Sequence, residues 1–220
     1  HASKGDKYLK MIQTNINIGC GYTVGESWKN YDVTLTAIIE KIPILTKIIK
    51  INQKKFPKKV IYGNIVKKPL CVINQADNIF CSHTLEHMTY EEMKIALTNI
   101  FSMLKPDGCF RLIVPSLETR IEKYLTDKDA NKFIEHIGMG EKNTKKNILD
   151  KIRGIFGNSK HLWMYDYRSM TKELELTGFK KIQKCNFNDS QIRVFEEVEE
   201  KDRFIDSSNG MEQVCLQCTK

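Results

Sequence analysis

The segment Asn15-Ile16-Asn17-Ile18-Gly19-Cys20-Gly21 constrains the fold more than any other part of this chain. It is typical of a short apolar strand that runs directly into a Gly-x-Gly turn. Because glycine lacks a Cβ atom and tolerates positive φ, such a turn lets the backbone approach a ligand closely. Asp32 follows eleven residues after Gly21, at the end of a second predicted strand, where a carboxylate accepts hydrogen bonds from ribose hydroxyls. The pattern predicts a nucleoside-cofactor site near the start of an α/β domain.

Strand and helix patterns alternate along the chain, which predicts an α/β fold. We expect a Rossmann-like open sheet that is mostly parallel, with an antiparallel last strand and helices on both faces. The loop between the first two strands is too short for a crossover helix. A capping box at Thr89 and Glu92 predicts a helix that ends at Lys105-Pro106-Asp107-Gly108. Other helices are predicted at 35–50 and 169–176, and strands at 15–19, 28–33, 60–65, 78–82, 109–114, 179–187 and 212–219.

The chain of 220 residues suits one domain, residues 1–220. Residues 116–165 are polar and carry short helical patterns, so we interpret them as a helical lid insertion over the carboxyl edge of the sheet. Residues 188–211 are charged, and we expect them to be a long link between the last two strands.

Composition narrows the class of protein. No apolar run reaches the length of a membrane span, and no signal peptide is recognised, so a cytoplasmic protein without a membrane partner is expected. The seven scattered cysteines predict reduced thiols. Cys215 and Cys218 would point to opposite faces of a strand, and with no second pair we expect no metal site. The net charge of +8 is compatible with a nucleic-acid partner, but no RNA-binding motif occurs, so this partner is not favoured.

The motifs, taken in order, resemble those of the class I S-adenosylmethionine-dependent methyltransferases, in particular the type 11 group. The resemblance runs from about residue 14 to the end of the chain. Two features depart from it: the loop before Asp32 is short, and Gly63-Asn64-Ile65 lacks the acid that the family often has near adenine. The matching segments are Ile16 to Gly21, Trp28 to Val33, Asn78 to His87, Leu104 to Gly108, Arg111 to Pro115, and His161 to Asp166.

The resemblance implies S-adenosylmethionine as cofactor and S-adenosylhomocysteine as product. It places one group of residues beside the methionine and ribose portions, a second beside adenine, and a third beside the sulfonium. The first group is Gly19, Cys20, Gly21, Asp32 and Val33, the second is Gly63, Asn64 and Ile65, and the third is Ser82 and His83.

Methyl transfer mainly requires that the nucleophile, methyl group and sulfur lie in line, and a general base is needed only for a poor nucleophile. His83, His87 and His161 are the candidate bases, because histidine titrates near neutrality. Trp163 and Tyr165, in the predicted lid, are candidates for stacking on a substrate ring.

The chain lacks the Asn/Asp-Pro-Pro-aromatic motif of enzymes that methylate amino groups of bases, so a small-molecule or saccharide acceptor is favoured. An RNA methyltransferase and a non-catalytic binding module with the same fold stay open as alternatives. The sequence predicts no oligomeric state.

Overall fold

A computed structural model describes residues 13–33, 57–140 and 160–220 of the chain. In these ranges seven strands form one sheet in the order β3-β2-β1-β4-β5-β7-β6. β7 is antiparallel to both of its neighbours, and the pairs among β1 to β5 are parallel. The predicted fold class is therefore confirmed. The strands are β1 Asn15–Ile18, β2 Trp28–Asp32, β3 Val60–Tyr62, β4 Ala76–Ser82, β5 Leu104–Pro115, β6 Lys180–Lys184 and β7 Gln213–Thr219.

Strand order brings the predicted site segments together. The carboxyl ends of β3, β2, β1 and β4 are neighbours because these strands run parallel in adjacent positions. The loop at residues 19–27 joins β1 to β2 without a helix, as its length predicted. The helix predicted at 35–50 lies outside the described residues.

One face of the sheet is covered by two amphipathic helices, α1 (Tyr90–Met103) and α4 (Tyr167–Thr177). The capping box that begins α1 is present, with reciprocal bonds between Thr89 and Glu92. α4 ends at Gly178, which has a φ of 109°. The buried face of α1 belongs to the main core, together with the isoleucines of β1 and apolar residues of β4, β5 and β7. The buried side chains of α1 are Met93, Ala96, Leu97, Ile100 and Met103.

β5 starts earlier than predicted. Leu104 already pairs with Ala76 of β4, whereas we expected the strand to begin at Cys109. The residues between them bulge out of the ladder, and Asp107 in this bulge has a φ of 59°. The predicted turn therefore lies inside the strand as an irregularity.

The opposite face is covered by the segment we expected to be a link. A 3₁₀ helix at Arg193–Glu197 and the short helix α5 (Lys201–Phe204) follow β6 and lie over this face. Phe195 is fully buried, with its ring centroid 5.4 Å from Trp28 and 6.2 Å from Phe80. The loop between β1 and β2 is short and contributes no helix to this face of the sheet. Residues 188–211 cover part of that face instead. Residues 188–211 do link β6 to β7 as predicted, but the prediction overlooked that the apolar residues Phe195, Val198 and Phe204 pack on the sheet.

Buried polar side chains are common on this second face. Arg111 of β5 is 1% exposed, and its Nε lies 2.5 Å from Glu199 Oε1. Its Nη2 lies 2.6 Å from Asp189 Oδ1. Both acids belong to residues 188–211, the covering segment, so charge pairing joins this segment to the sheet. A buried arginine without these partners would be strongly destabilising.

The segment that we predicted to be a lid contains α2 (Leu117–Asp127) and α3 (Ala130–His136). Its two ends meet, because Ser116 and Tyr165 form a parallel bridge and the Leu117 amide donates to the Tyr165 carbonyl at 2.8 Å.

All seven cysteines are free thiols. Cys215 packs in the cluster on the second face and Cys218 in the main core, so the two point to opposite faces as predicted. Among the described helices, none has both the length and the apolar character needed to cross a bilayer.

Candidate cofactor and active site

The Gly-x-Gly turn has the backbone conformation that requires glycine. Gly19 has a φ of 65°, and a Cβ atom there would lie 2.0 Å from Thr84 Oγ1. Gly21 has a φ of 53° and open space around the Cβ position. Its amide donates to Asp32 Oδ2 at 2.9 Å, so the turn and the acid at the end of β2 form one unit.

Two buried asparagines hold this turn, and the sequence interpretation missed both. Asn17 Nδ2 donates to the Thr23 carbonyl at 3.0 Å and to Asn30 Oδ1 at 3.2 Å. Asn30 Oδ1 also accepts from the Gly25 amide at 3.1 Å. The available signal was a polar residue inside an apolar parallel strand, where a buried amide needs partners.

A cavity opens at the carboxyl ends of β1 and β4. Its empty volume is about 240 Å³, open mouth included. Ser82 Oγ lines it and is buried without a hydrogen-bond partner among the described residues. The covering segment contributes two lining residues that the sequence did not predict, Val198 and Arg203. The remaining lining residues are Asn17, Gly19, Cys20, Thr23 and Phe80.

Cys20 lines the cavity as a neutral thiol. Burial and the nearby Asp32 carboxylate raise the pKa of Cys20 to about 12. The side chain is therefore a small, weakly polar surface at neutral pH, and nucleophilic chemistry by its thiolate is disfavoured.

The residues predicted to lie near ribose and adenine meet at the edge formed by β2 and β3. Asp32 is buried, Val33 is 46% exposed, and the Gly63 amide donates to the Asp32 carbonyl at 3.1 Å. Asn64 was expected beside adenine, and its Oδ1 accepts from the amides of residues 66 and 67 at 2.9 and 3.4 Å. Ile65 is 2% exposed and belongs to the main core.

The three candidate bases converge on one carboxylate that the sequence interpretation left out, Glu86. His83 has a φ of 49°, and its Nδ1 lies 3.5 Å from Glu86 Oε1. His87 Nε2 lies 3.8 Å from the same oxygen. The rings of His87 and His161 meet edge to face at 5.1 Å. Glu86 itself is completely buried.

The second nitrogen of each ring contacts a backbone carbonyl. His83 Nε2 lies 3.0 Å from the Arg203 oxygen, His87 Nδ1 2.9 Å from the Lys160 oxygen, and His161 Nδ1 2.8 Å from the Ile137 oxygen. Burial lowers the pKa of the His161 imidazole, which favours the neutral ring.

The two lid aromatics have different environments. Trp163 is 46% exposed and packs against Tyr90, with ring centroids 5.2 Å apart and the planes tilted by 37°. The Tyr90 hydroxyl donates to Glu173 Oε1 at 2.7 Å, which holds the pair in place. Tyr165 is 1% exposed, so its ring face is not available for the stacking that the sequence predicted. Its side chain packs in the main core, and its backbone forms a bridge with Ser116.

These features fit a nucleoside cofactor. Gly21 has open space where a Cβ atom would be, Ser82 has a hydroxyl in the cavity without a partner among the described residues, and a buried acid lies at the next strand end. No cradle for phosphate is needed, because S-adenosylmethionine carries none.

The chain matches the family described as a methyltransferase domain over residues 16–184. This match spans more than half of the chain, so the protein belongs to that family. With this sheet order, it is a class I S-adenosylmethionine-dependent methyltransferase. The predicted class, enzyme type and cofactor are confirmed. No curated protein matches the sequence.

Solved structures with a similar fold include several methyltransferases. An S-adenosylmethionine-dependent methyltransferase of Archaeoglobus fulgidus is 17% identical, with a TM-score of 0.47, covering 97% of this chain and 88% of its own. One from Thermotoga maritima is 11% identical, with a TM-score of 0.47 and coverage of 94% and 82%. The 1,6-didemethyltoxoflavin-N1-methyltransferase of Burkholderia thailandensis is 14% identical, with a TM-score of 0.47 and coverage of 94% and 70%. These likenesses carry no statement about the acceptor.

Proposed function

We propose that this methyltransferase transfers the methyl group of S-adenosylmethionine to a small-molecule or saccharide acceptor. The observation that carries the proposal is the half-exposed Trp163, whose ring packs against Tyr90 with the two planes tilted by 37°. Its backbone amide donates to the Glu86 carbonyl at 3.2 Å, which ties this ring to the segment that follows β4. A half-exposed indole of this kind suits contact with a sugar ring or a flat heterocycle.

In this proposal the cofactor lies along the carboxyl ends of the four parallel strands. The backbone of Gly19, Cys20 and Gly21 contacts its methionine and ribose portions, and Asp32 accepts hydrogen bonds from the ribose hydroxyls. The Gly21 bond to the Asp32 carboxylate supports this role, because it orients the acid. Ser82 lies beside the sulfonium, where its unpartnered hydroxyl gains a partner.

The adenine is proposed to lie at the edge of β2 and β3. Val33 offers an exposed apolar surface there, and the adjoining Gly63 packs closely against Tyr31 and Leu70, which leave no room for a Cβ atom. For Asn64 the proposal keeps only a contact through its backbone or its side-chain amino group, because its carbonyl oxygen serves the local turn. Ile65 supports this edge from within the core.

Residues 116–165 are proposed to act as a lid on the single domain. The meeting of Ser116 and Tyr165 supports this, since an insertion whose ends are paired leaves the sheet undisturbed. Closure of such a lid excludes water from the reacting groups.

His83 is the proposed general base for a hydroxyl acceptor. It directly follows Ser82, and its left-handed backbone is uncommon for a residue other than glycine. A carbonyl can only accept, so the bond to the Arg203 oxygen assigns the proton to Nε2 and leaves Nδ1 to take the acceptor proton. Glu86, 3.5 Å from Nδ1, would stabilise the resulting imidazolium.

The alternative of an RNA acceptor is less well supported. Among the described lysines, Lys58 and Lys59 adjoin β3, and Lys180, Lys181 and Lys184 lie on β6, at opposite edges of the sheet. Lys59 pairs with Glu26, and Lys184 lies 3.9 Å from the Tyr167 ring centroid. An RNA site requires basic groups along one surface. The seven free thiols support a reducing compartment, and we propose the cytoplasm.

A labelled-methyl assay tests the acceptor class. Purified protein and S-adenosylmethionine with a radiolabelled methyl group are incubated with saccharide pools, small-metabolite pools and total RNA. We expect label in a saccharide or small-molecule fraction. The Trp163→Ala variant should raise the acceptor KM about tenfold while leaving the cofactor KM unchanged. Leu176→Ala, an exposed change on α4, is the matched control. Label found only in RNA would overturn the proposal.

A further inference from the structure

Three histidines around Glu86 have their tautomers assigned by backbone carbonyls. Because a carbonyl oxygen only accepts, the ring nitrogens bonded to the oxygens of Arg203, Lys160 and Ile137 must carry hydrogen. In each neutral ring the other nitrogen then carries a lone pair. Metal-ligating histidines have this arrangement, with one N–H donated to a carbonyl and the opposite nitrogen as ligand.

The carboxylate at the centre needs a positive partner. Glu86 is completely buried, and neither of its oxygens accepts a hydrogen bond from any described residue. The atoms that face it include His83 Nδ1 at 3.5 Å and His87 Nε2 at 3.8 Å, which are lone-pair nitrogens in the neutral rings. A buried carboxylate surrounded by acceptors is unfavourable unless a cation binds there.

Arg120 does not fill this role by direct contact. Its guanidinium is buried and acts on Glu86 electrostatically. Its N–H groups, however, donate to the carbonyls of His136 and Ser116, both at 2.9 Å, and to Gln213 Oε1 at 3.4 Å. No ion pair joins Arg120 and Glu86 among the described contacts.

We propose that Glu86, His87 and His161 form a binding site for a divalent transition-metal ion of the zinc type. One ligand atom from each residue lies within 4.8 Å of the other two. Ligands bound to one zinc ion at about 2.0–2.2 Å lie about 3.4 Å apart, so the ligand atoms need to approach one another by up to about 1.4 Å. Two imidazoles and one carboxylate form a ligand set that leaves a position open. His83 Nδ1 lies beside the set.

The site does not depend on which acceptor is methylated. The sequence interpretation expected no metal because it searched for closely spaced cysteine and histidine pairs, and His87 and His161 are far apart in the chain. The fold brings them together through the lid. Gly138 lies against His161, where a Cβ atom would be 2.8 Å from Nδ1, and the Gly138 carbonyl accepts from the His161 amide.

Metal binding to the full chain tests the site directly. Protein stripped with a chelator is titrated with Co²⁺ by absorption spectroscopy and with Zn²⁺ by calorimetry. We expect one equivalent to bind, with a nitrogen and oxygen ligand spectrum and without a thiolate charge-transfer band. The variants Glu86→Gln and His161→Asn should each weaken binding by about 100-fold or more. His136→Ala, on α3 outside the cluster, is the control and should bind as the wild type does.

A second readout separates lost ligands from lost folding. Zn²⁺ should raise the Tm of the wild type and of His136→Ala and leave the Tm of Glu86→Gln unchanged. No stoichiometric binding to the wild type, a thiolate band in the Co²⁺ spectrum, or equal affinity in the Glu86→Gln variant would overturn the proposal. Binding of S-adenosylhomocysteine without metal is measured in parallel, so a failure of this site is distinguished from a failure of the proposed function.

Discussion

Replacing Phe195 with alanine is expected to lower the free energy of unfolding by about 3–5 kcal/mol. Phe195 is fully buried and packs against Trp28 and Phe80, on the side of the sheet where the loop between β1 and β2 provides no helix. A buried phenylalanine removes about 200 Å² from water, of which the ring contributes about 150 Å². At about 25 cal/mol per Å², loss of the ring costs about 4 kcal/mol.

Urea denaturation followed by tryptophan fluorescence measures this change, because Trp28 lies in the same cluster. Leu176→Ala, whose side chain is 72% exposed on α4, is the control and should stay within about 0.5 kcal/mol of the wild type. The Phe195→Ala variant should also bind S-adenosylhomocysteine about tenfold more weakly than the wild type, since Val198 in the same segment lines the cavity. A loss of stability under about 1 kcal/mol would refute the view that this segment covers the sheet.

Three further predictions follow from single contacts. Gly19→Ala should lower the free energy of unfolding by about 3 kcal/mol because its Cβ meets Thr84, whereas Gly21→Ala should lower it by about 1 kcal/mol from backbone strain alone. Urea denaturation that ranks the two variants in the reverse order would contradict this. Glu199→Gln should lower the free energy of unfolding by about 3 kcal/mol because Arg111 loses its buried charged partner. Asp189→Asn should lower it less, because Asp189 is 39% exposed. Equal unfolding midpoints for the two variants would count against this prediction. With a thiol reagent at pH 8, Cys71 alone should react rapidly in the native protein, because it is the only cysteine that is not buried. All seven thiols should react after denaturation. Several rapidly reacting thiols in the native protein would be inconsistent with this packing.

The local signals of the sequence predicted most of the sheet. The strand and Gly-x-Gly turn at Gly19, the capping box at Thr89 and the helix end at Gly178 each depend on neighbouring residues, so short patterns reveal them. Asp32 was placed correctly at a strand end next to this turn, because parallel strands bring their carboxyl ends together.

The contacts between distant segments could not be predicted in the same way. Phe195 covers Trp28 although 167 positions separate them, and only the missing helix after β1 hinted that something else must cover that face. Glu86 lay inside a recognised motif, but its burial and the approach of His161 depend on contacts between segments that are distant in the chain. Tyr165 was assigned to substrate stacking because pattern alone does not distinguish a buried aromatic from an exposed one.

The most direct test of the central claim is a calorimetric titration of the protein with S-adenosylhomocysteine, beside the Asp32→Ala variant. We predict binding on the order of −8 kcal/mol for the wild type and a loss of at least about 2 kcal/mol in the variant, whose carboxylate no longer serves the Gly21 turn and the ribose. Asp107→Ala, on the exposed bulge of β5, should bind as the wild type does. Equal affinity in Asp32→Ala, or no binding by the wild type, would contradict the cofactor site described at the ends of β1, β2 and β4.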